Sequence, residues 1–166
     1  MEEINKKDIR LLTKEALQDF FASHGAPSFK GGQVYQWLWQ KGVHNFDLMT
    51  NLSLEHRNIL KTHFEIKHIN IDTQQRSSDG TIKNAVKLHD QLVVESVLIP
   101  TASRTTACVS SQVGCSLDCV FCATAALNRM RNLNADEIYD QVVAIDHQSK
   151  LYHNRPLSNI VFMGMG

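Results

Sequence analysis

The feature that most constrains this chain is the clustering of its cysteines. All four lie between Cys108 and Cys122 in a sequence of 166 residues, and three follow the spacing Cys115-x3-Cys119-x2-Cys122. The charged N-terminus MEEINKKDIR lacks the apolar stretch of a secretory signal, and no apolar run is long enough to span a bilayer. We therefore expect a cytoplasmic protein without membrane partners, in which clustered cysteines indicate a metal or redox site rather than disulfides.

The spacing favours an iron–sulfur cluster over a zinc site. Three thiolates on one short loop can bind three irons of a cubane cluster and leave the fourth iron open for chemistry. S-adenosylmethionine can occupy that position and be cleaved to a carbon radical by electron transfer. One alternative is a structural zinc site with Cys108 as the fourth ligand, although zinc ligands usually come in Cys-x-x-Cys pairs. The other is three buried structural thiols.

The rest of the sequence predicts helices followed by a sheet. Apolar spacing predicts helices within residues 6–66, with Ser28 and Ser53 as N-caps. Alternating apolar residues around the turn signal Ser78-Asp79-Gly80 predict a small hairpin or sheet at about 66–89, and VVESVLIP and TACVSSQV are strand candidates. The formal net charge is zero, so the overall charge gives no sign of a nucleic-acid partner.

The segment around the cysteines predicts a βαβ unit. Asn134 and Glu137 match a capping box, and Ile138, Val142 and Ile145 give one apolar helical face. SNIVFMGMG reads as a buried strand that ends in glycines. The order strand, cysteine loop, helix, strand implies parallel pairing. Because parallel sheets are usually covered on both faces, we expect either a truncated sequence or another source of the missing layers.

These motifs resemble the radical S-adenosylmethionine RNA adenine methyltransferase family (RlmN/Cfr), most closely its RlmN branch. The cysteine spacing with Phe121 before the last cysteine is the radical S-adenosylmethionine signature. The wider resemblance covers nearly the whole chain, through FKGGQVYQWLWQKGVHNFDLMTNLS, VVESVLIP, CVSSQVGCSLDCVFCATA, RNLNADEI and NIVFMGMG.

The resemblance implies a methyltransferase that modifies carbon 2 of adenine in 23S rRNA and in tRNA, with a 4Fe–4S cluster and S-adenosylmethionine as cofactors. The sequences VLIP and SSQVGC favour the carbon-2 branch over the carbon-8 branch. Two alternatives stay open, namely a carbon-8 methyltransferase of the Cfr branch and a non-catalytic RNA-binding or zinc-stabilised module. We expect the full-length protein to be a monomeric enzyme, and this fragment alone to be inactive, because no cysteine follows Cys122 to carry the methyl group.

The implied fold is an α+β N-terminal accessory domain followed by the first βαβ unit of a truncated radical-SAM (β/α) barrel. Residues 1–66 would be the RNA-engaging accessory domain, 67–100 a small β segment or linker, and 101–166 the start of the core. Basic and aromatic side chains suit RNA contacts in the first domain, although on the sequence alone core packing and a solvated face explain them better. They are Lys30, Trp37, Trp39, Lys41, Arg57, Lys61 and His63.

The resemblance also implies roles for individual residues. Cys115, Cys119 and Cys122 would ligate the cluster, and Gly166 and Phe121 would contribute to cofactor binding. Cys108 would be the thiol that attacks a methylated cysteine and leaves a transient disulfide; the alternative is a buried cysteine that acts as a small hydrophobe. Glu95 would accept a proton from the adenine ring, as a carboxylate in an otherwise apolar strand; the alternative is an outward-facing polar residue.

Overall fold

The computed structural model describes residues 6–116, 119–120, 122, 124 and 127–166, which fall into two units divided after Lys67. The first unit contains α1 (Lys14–Ser23), α2 (Phe29–Trp39) and α3 (Leu54–His63). Short 3-10 helices at Ile9–Leu11 and Phe46–Leu48 precede α1 and α3. The comparison with the sequence confirms the expectation of a mostly helical N-terminal region.

The helix starts show which capping prediction was right. The Ser53 side chain accepts a hydrogen bond from the His56 backbone N–H at 3.2 Å, as predicted. The prediction for Ser28 was wrong, because its side chain makes no capping hydrogen bond. The Ser28 backbone is already helical, with φ −56° and ψ −32°, whereas a capping side chain needs an extended backbone.

The core of the first unit lies where its three helices meet. The fully buried side chains there include Leu17, Phe21, Val34, Leu38 and Leu60. In addition, β1 (Lys7–Asp8) pairs in parallel with β2 (Phe64–Glu65), so the start of this unit is tied to the end of α3. The sequence analysis missed this pairing, because two-residue strands leave no periodic signal.

The second unit is built on a five-stranded sheet in the order β3-β4-β5-β6-β9. Its strands are β3 (Asn70–Arg76), β4 (Ile82–Lys87), β5 (Val93–Pro100), β6 (Thr105–Cys108) and β9 (Asn159–Val161). Neighbouring strands from β3 to β6 are antiparallel, whereas β9 is parallel to β6. The predicted hairpin and the parallel βαβ unit are thus confirmed. Residues 67–100 were predicted to be a separate β segment or linker, but their strands β3, β4 and β5 belong to the same sheet as β6 and β9.

The helix α4 (Ala135–His153) covers one face of the sheet. Ile145, Val142 and Ile138 pack there against side chains of β4, β5 and β6, as their helical spacing predicted. A buried amide pair adds polar contacts, since Asn84 and Gln148 exchange hydrogen bonds of 3.0 and 2.8 Å. Strand alternation puts Lys83, Glu95 and Cys108 on the opposite face.

The prediction that SNIVFMGMG is a buried strand was wrong. In β9 and just beyond it, Ile160 is 47% exposed, Phe162 61% and Met163 77%. The reason is that β9 is an edge strand in the sheet that the described residues form, so its outer side has no neighbouring strand there. None of the helices among the described residues is long and apolar enough to cross a membrane.

Candidate functional site

A cavity of about 260 Å³ opens on the sheet face opposite α4. Its lining combines β5, the end of β6, the cysteine segment and the glycine-rich stretch after β9. The lining residues are Glu95, Val97, Cys108, Cys122, Thr124, Met163, Gly164 and Met165. Register explains the grouping, because Val97 pairs directly with Cys108, and Glu95 lies two residues from Val97 on the same face. The structure therefore brings Glu95, Cys108 and Cys122 together.

Cys108 ends β6 in the wall of this cavity and is 7% exposed. Burial raises the pKa of the Cys108 thiol, while a hydrogen bond from the backbone N–H of Met163 partly offsets that rise. The resting group is consequently a neutral thiol. The Met163 N–H is the donor that would stabilise the thiolate when the proton leaves.

Glu95 lies in a more polar setting than the sequence suggested. Its carboxylate is 41% exposed and lies 2.9 Å from the ammonium group of Lys83. Lys83 pairs with Val97, which makes it the diagonal cross-strand neighbour of Glu95 on the half-exposed face of the sheet. The desolvated setting predicted for Glu95 is therefore wrong. Glu95 shares its face of β5 with Val93, Val97 and Ile99, but none of these is buried, whereas Val94 and Leu98 are buried on the face under α4.

Ser110 is a buried hydrogen-bonding centre behind the cavity. Its hydroxyl donates to the Glu95 backbone oxygen at 2.6 Å and accepts from the Met165 N–H at 2.9 Å. Its own N–H and C=O bond to the side-chain amide of Gln141 on α4, at 2.9 and 3.1 Å. A side chain at Gly164 would put a Cβ only 2.5 Å from the Ser110 hydroxyl oxygen. Sequence reasoning missed Ser110 and Gln141. Ser110 lies in the SSQV stretch inside the resemblance, whereas Gln141 lies outside the motifs that carry it.

The cysteine segment is held at its base by backbone hydrogen bonds. The Cys115 N–H donates to the Leu127 oxygen at 3.0 Å, and the Cys122 N–H donates to the Cys119 oxygen at 3.0 Å. The Cys122 sulfur lies 2.8 Å from the Thr124 hydroxyl and is exposed. Cys115 and Cys119 are half-buried and do not line the cavity. Phe121 lies outside the described residues.

The donor chemistry of this segment fits an iron–sulfur cluster. Thiolates are the protein ligands of such clusters, and three thiols fall in one short loop beside a cavity. Within the described ranges, however, no three His, Cys, Asp or Glu side chains are already grouped to hold a metal ion.

Gly166 has a positive φ of +132°, a backbone conformation that favours glycine. A Cβ there would lie 2.3 Å from the Ser111 hydroxyl oxygen, so the close approach to Ser111 also requires glycine. Gly166 does not line the cavity, whereas its neighbour Gly164 does.

The basic and aromatic residues of the first unit mostly contact one another or nearby polar groups. The Lys41 ammonium lies 3.4 Å from the centre of the Trp37 ring, and the Trp37 indole donates to Asn51 at 2.5 Å. Lys61 forms an ion pair with the Asp47 carboxylate, and Arg57 donates to the Asp47 backbone oxygen. These residues thus stabilise the helical unit itself, whatever else they bind.

Comparison with known proteins agrees with this architecture over both units. Residues 7–66 match the family model for the ribosomal RNA large subunit methyltransferase N-terminal domain. A probable dual-specificity RNA methyltransferase RlmN from Christiangramia forsetii is 74% identical over 97% of this chain and 46% of its own length. The dual-specificity RNA methyltransferase RlmN from Geotalea uraniireducens is 41% identical over 98% of this chain and 46% of its own.

The chain is similar to members of the RlmN family over nearly its whole length. A crystal structure of a radical SAM methyltransferase from Sphaerobacter thermophilus superimposes with a TM-score of 0.81 at 35% identity, covering 96% of this chain and 47% of that one. The resemblance inferred from the motifs is therefore confirmed, and so is the likeness to a radical SAM methyltransferase fold. The chain spans about half the length of the curated relatives that it matches.

Proposed function

We propose that this chain provides the cluster-binding loop, the proton acceptor and the resolving thiol of a radical S-adenosylmethionine methyltransferase. Its substrate atom would be carbon 2 of adenine in 23S rRNA and in tRNA. The observation that carries the proposal is the cavity that Glu95, Cys108 and Cys122 line together, in a chain whose relatives are named as RNA methyltransferases. Residues 101–166 would begin a (β/α) barrel, with the site at the carboxyl ends of β6 and β9.

Each named group would have a defined task. Cys115, Cys119 and Cys122 would hold the 4Fe–4S cluster, whose chemistry when bound is one-electron reduction of S-adenosylmethionine. The glycine-rich stretch that ends at Gly166 would lie against the S-adenosylmethionine, and Phe121 beside the last ligand would complete the cofactor pocket.

Glu95 would accept the proton that leaves the adenine ring. Glu95 lines the cavity, and its carboxylate forms an ion pair with Lys83 at 2.9 Å. After losing its proton, Cys108 would attack the sulfur of a cysteine that the rest of a full-length protein supplies and that a methylene bridge joins to the adenine. The disulfide forms as the sulfur–carbon bond breaks, and the released carbon takes a proton to become the methyl group of the RNA. The first unit, residues 1–66, would engage the RNA through its basic and aromatic side chains.

The experiment uses a chimera in which residues 1–166 are joined to the C-terminal part of the Christiangramia forsetii relative. It would be incubated without oxygen with unmethylated 23S rRNA and tRNA, S-adenosylmethionine and a reductant. Chromatography with mass spectrometry of the digested RNA separates 2-methyladenosine from 8-methyladenosine. We expect 2-methyladenosine in both RNAs.

Variants of the chimera test the assigned roles. Glu95→Gln should lower turnover by at least about 100-fold, as loss of a general base does. Asp72→Asn, the same change at an exposed residue of β3, should leave turnover unchanged. Cys108→Ala should leave RNA attached to the protein. Formation of 8-methyladenosine would instead support the Cfr-type alternative, and full activity of Glu95→Gln would remove Glu95 from the mechanism.

A further inference from the structure

The side chain of Arg131 ties the exit of the cysteine segment to two other parts of the second unit. Its guanidinium donates to both carboxylate oxygens of Glu137, at 2.8 and 2.7 Å. It also donates to Asp90, in the turn between β4 and β5, at 2.8 Å. We call these contacts the Arg131 clasp. When a guanidinium binds one carboxylate with two hydrogen bonds, the interaction is both strong and geometrically specific.

The Glu137 end of the clasp is buried and fixed. Its carboxyl is 3% exposed, and it also accepts the Asn134 backbone N–H at 2.8 Å in the capping box that begins α4. Burial by itself would raise the pKa of Glu137, but the hydrogen bonds from Arg131 and Asn134 lower that pKa below its ordinary value. The carboxylate is thus ionised, and removing Arg131 would leave a buried charge without its main partner.

The clasp lies at the point where the two ends of the cysteine loop meet. Here β7 (Gln112–Val113) pairs with β8 (Arg131–Asn132), and the Met130 N–H donates to the Val113 oxygen at 2.8 Å. Gly114, with φ +72°, lets the chain approach closely, since a Cβ there would lie 2.2 Å from the Asn128 oxygen. The two strands have only two residues each, so their pairing alone gives little stability.

We propose that Arg131 is a positioning residue, which fixes the base of the cysteine loop through Glu137 and Asp90 so that Cys115, Cys119 and Cys122 can converge on a shared metal centre. The identity of that centre rests on the proposed function, but the role of Arg131 in the loop does not. The RNLNADEI motif contains Arg131 and Glu137, and none of the proposed catalytic residues lies in it. The clasp therefore assigns a structural role to this motif. Arg131 itself would not touch the reacting atoms.

The first test measures amide hydrogen exchange in the metal-free 166-residue chain. Arg131→Met should make exchange at Cys115 and Met130 at least about tenfold faster, because the loop base would open locally while the sheet stays closed. Amides of β4 and β5 should be unchanged. Arg131→Lys, which cannot make the paired hydrogen bonds, should give an intermediate rate. The matched control is Arg129→Met, since Arg129 is exposed and its guanidinium donates to the side-chain oxygen of Asn132 at 2.8 Å, three residues along the chain.

The second test follows iron release to a chelator after anaerobic reconstitution. Arg131→Met should release iron about 10-fold faster than the unmodified chain, the size of effect seen for partners that orient metal ligands. Arg129→Met should match the unmodified chain. Unchanged exchange at Cys115 and Met130 in Arg131→Met would overturn the inference, and so would faster exchange throughout the second unit, which would mean a general structural role. Failure of the unmodified chain to take up iron would count against the proposed function. The exchange result would still decide whether Arg131 holds the base of the cysteine loop.

Discussion

Replacing Gln141 with leucine should destabilise the second unit strongly. Gln141 is fully buried, and its amide bonds to both the N–H and the C=O of Ser110. Leucine has a similar volume but would leave these two backbone groups buried without their partner. Each such group costs about 1–3 kcal/mol. The two groups together cost about 2–6 kcal/mol. The extra apolar burial of leucine offsets about 1–2 kcal/mol, so the free energy of unfolding should fall by about 2.5 kcal/mol at the middle of these ranges.

The assay is urea unfolding followed by far-ultraviolet circular dichroism, with the slope of the transition compared between variants. The control is His147→Leu, a change at an exposed position of the same helix, which should alter the free energy of unfolding by less than about 0.5 kcal/mol. Because Ser110 also binds the Glu95 backbone and the Met165 N–H, the variant should loosen the cavity as well. A loss below about 1 kcal/mol at an unchanged slope would refute the reasoning that Gln141 is the essential partner of Ser110.

Two further predictions concern other parts of the structure. Gly31→Ala would put a Cβ 2.4 Å from backbone atoms of α1 and should cost at least about 2 kcal/mol. Gly32→Ala would meet the side-chain ends of Lys14 and Gln18 at 3.5 and 3.9 Å, which is ordinary contact, and should stabilise α2 by up to about 1 kcal/mol. Fluorescence of the two tryptophans, both in α2, reports this unfolding, and equal effects of the two changes would contradict the close helix crossing. For Glu137, the lowered folded-state pKa means that its contribution to stability is present above the ordinary value of 4.5 and is lost as the pH falls through the lower folded-state pKa. The stability difference between the unmodified chain and Glu137→Gln should therefore shrink as the pH is lowered below 4.5 in urea titrations; a difference that grows would show the opposite sign.

Local signals in the sequence were enough to predict most of the secondary structure. The VVESVLIP strand, the hairpin around Gly80 and the capping box of Asn134 and Glu137 each depend on residues close in sequence, and all are present. The parallel pairing of β6 with β9 followed from the order of elements alone. The motifs also identified the family, which the comparisons with relatives confirm.

Features that depend on distant contacts could not be predicted. The pairing of β1 with β2 joins residues more than fifty positions apart, and the Ser110–Gln141 bonds join the segment after β6 to a helix that follows the cysteine segment. Exposure of β9 and the ion pair of Glu95 with Lys83 both depend on which strand lies beside which. Alternation along a strand shows that two faces differ, but only the assembled sheet decides which face is covered.

The central claim is that Cys115, Cys119 and Cys122 bind an iron–sulfur cluster, and the most direct measurement is the metal and sulfide content of the chain. The 166-residue protein would be purified and reconstituted without oxygen, and its iron, acid-labile sulfide and zinc measured beside its visible spectrum. About four irons and four sulfides per chain are predicted, lost in Cys119→Ala and retained in Cys108→Ala. One zinc per chain without sulfide, lost when Cys108 is replaced, would contradict the claim and identify a four-thiolate zinc site.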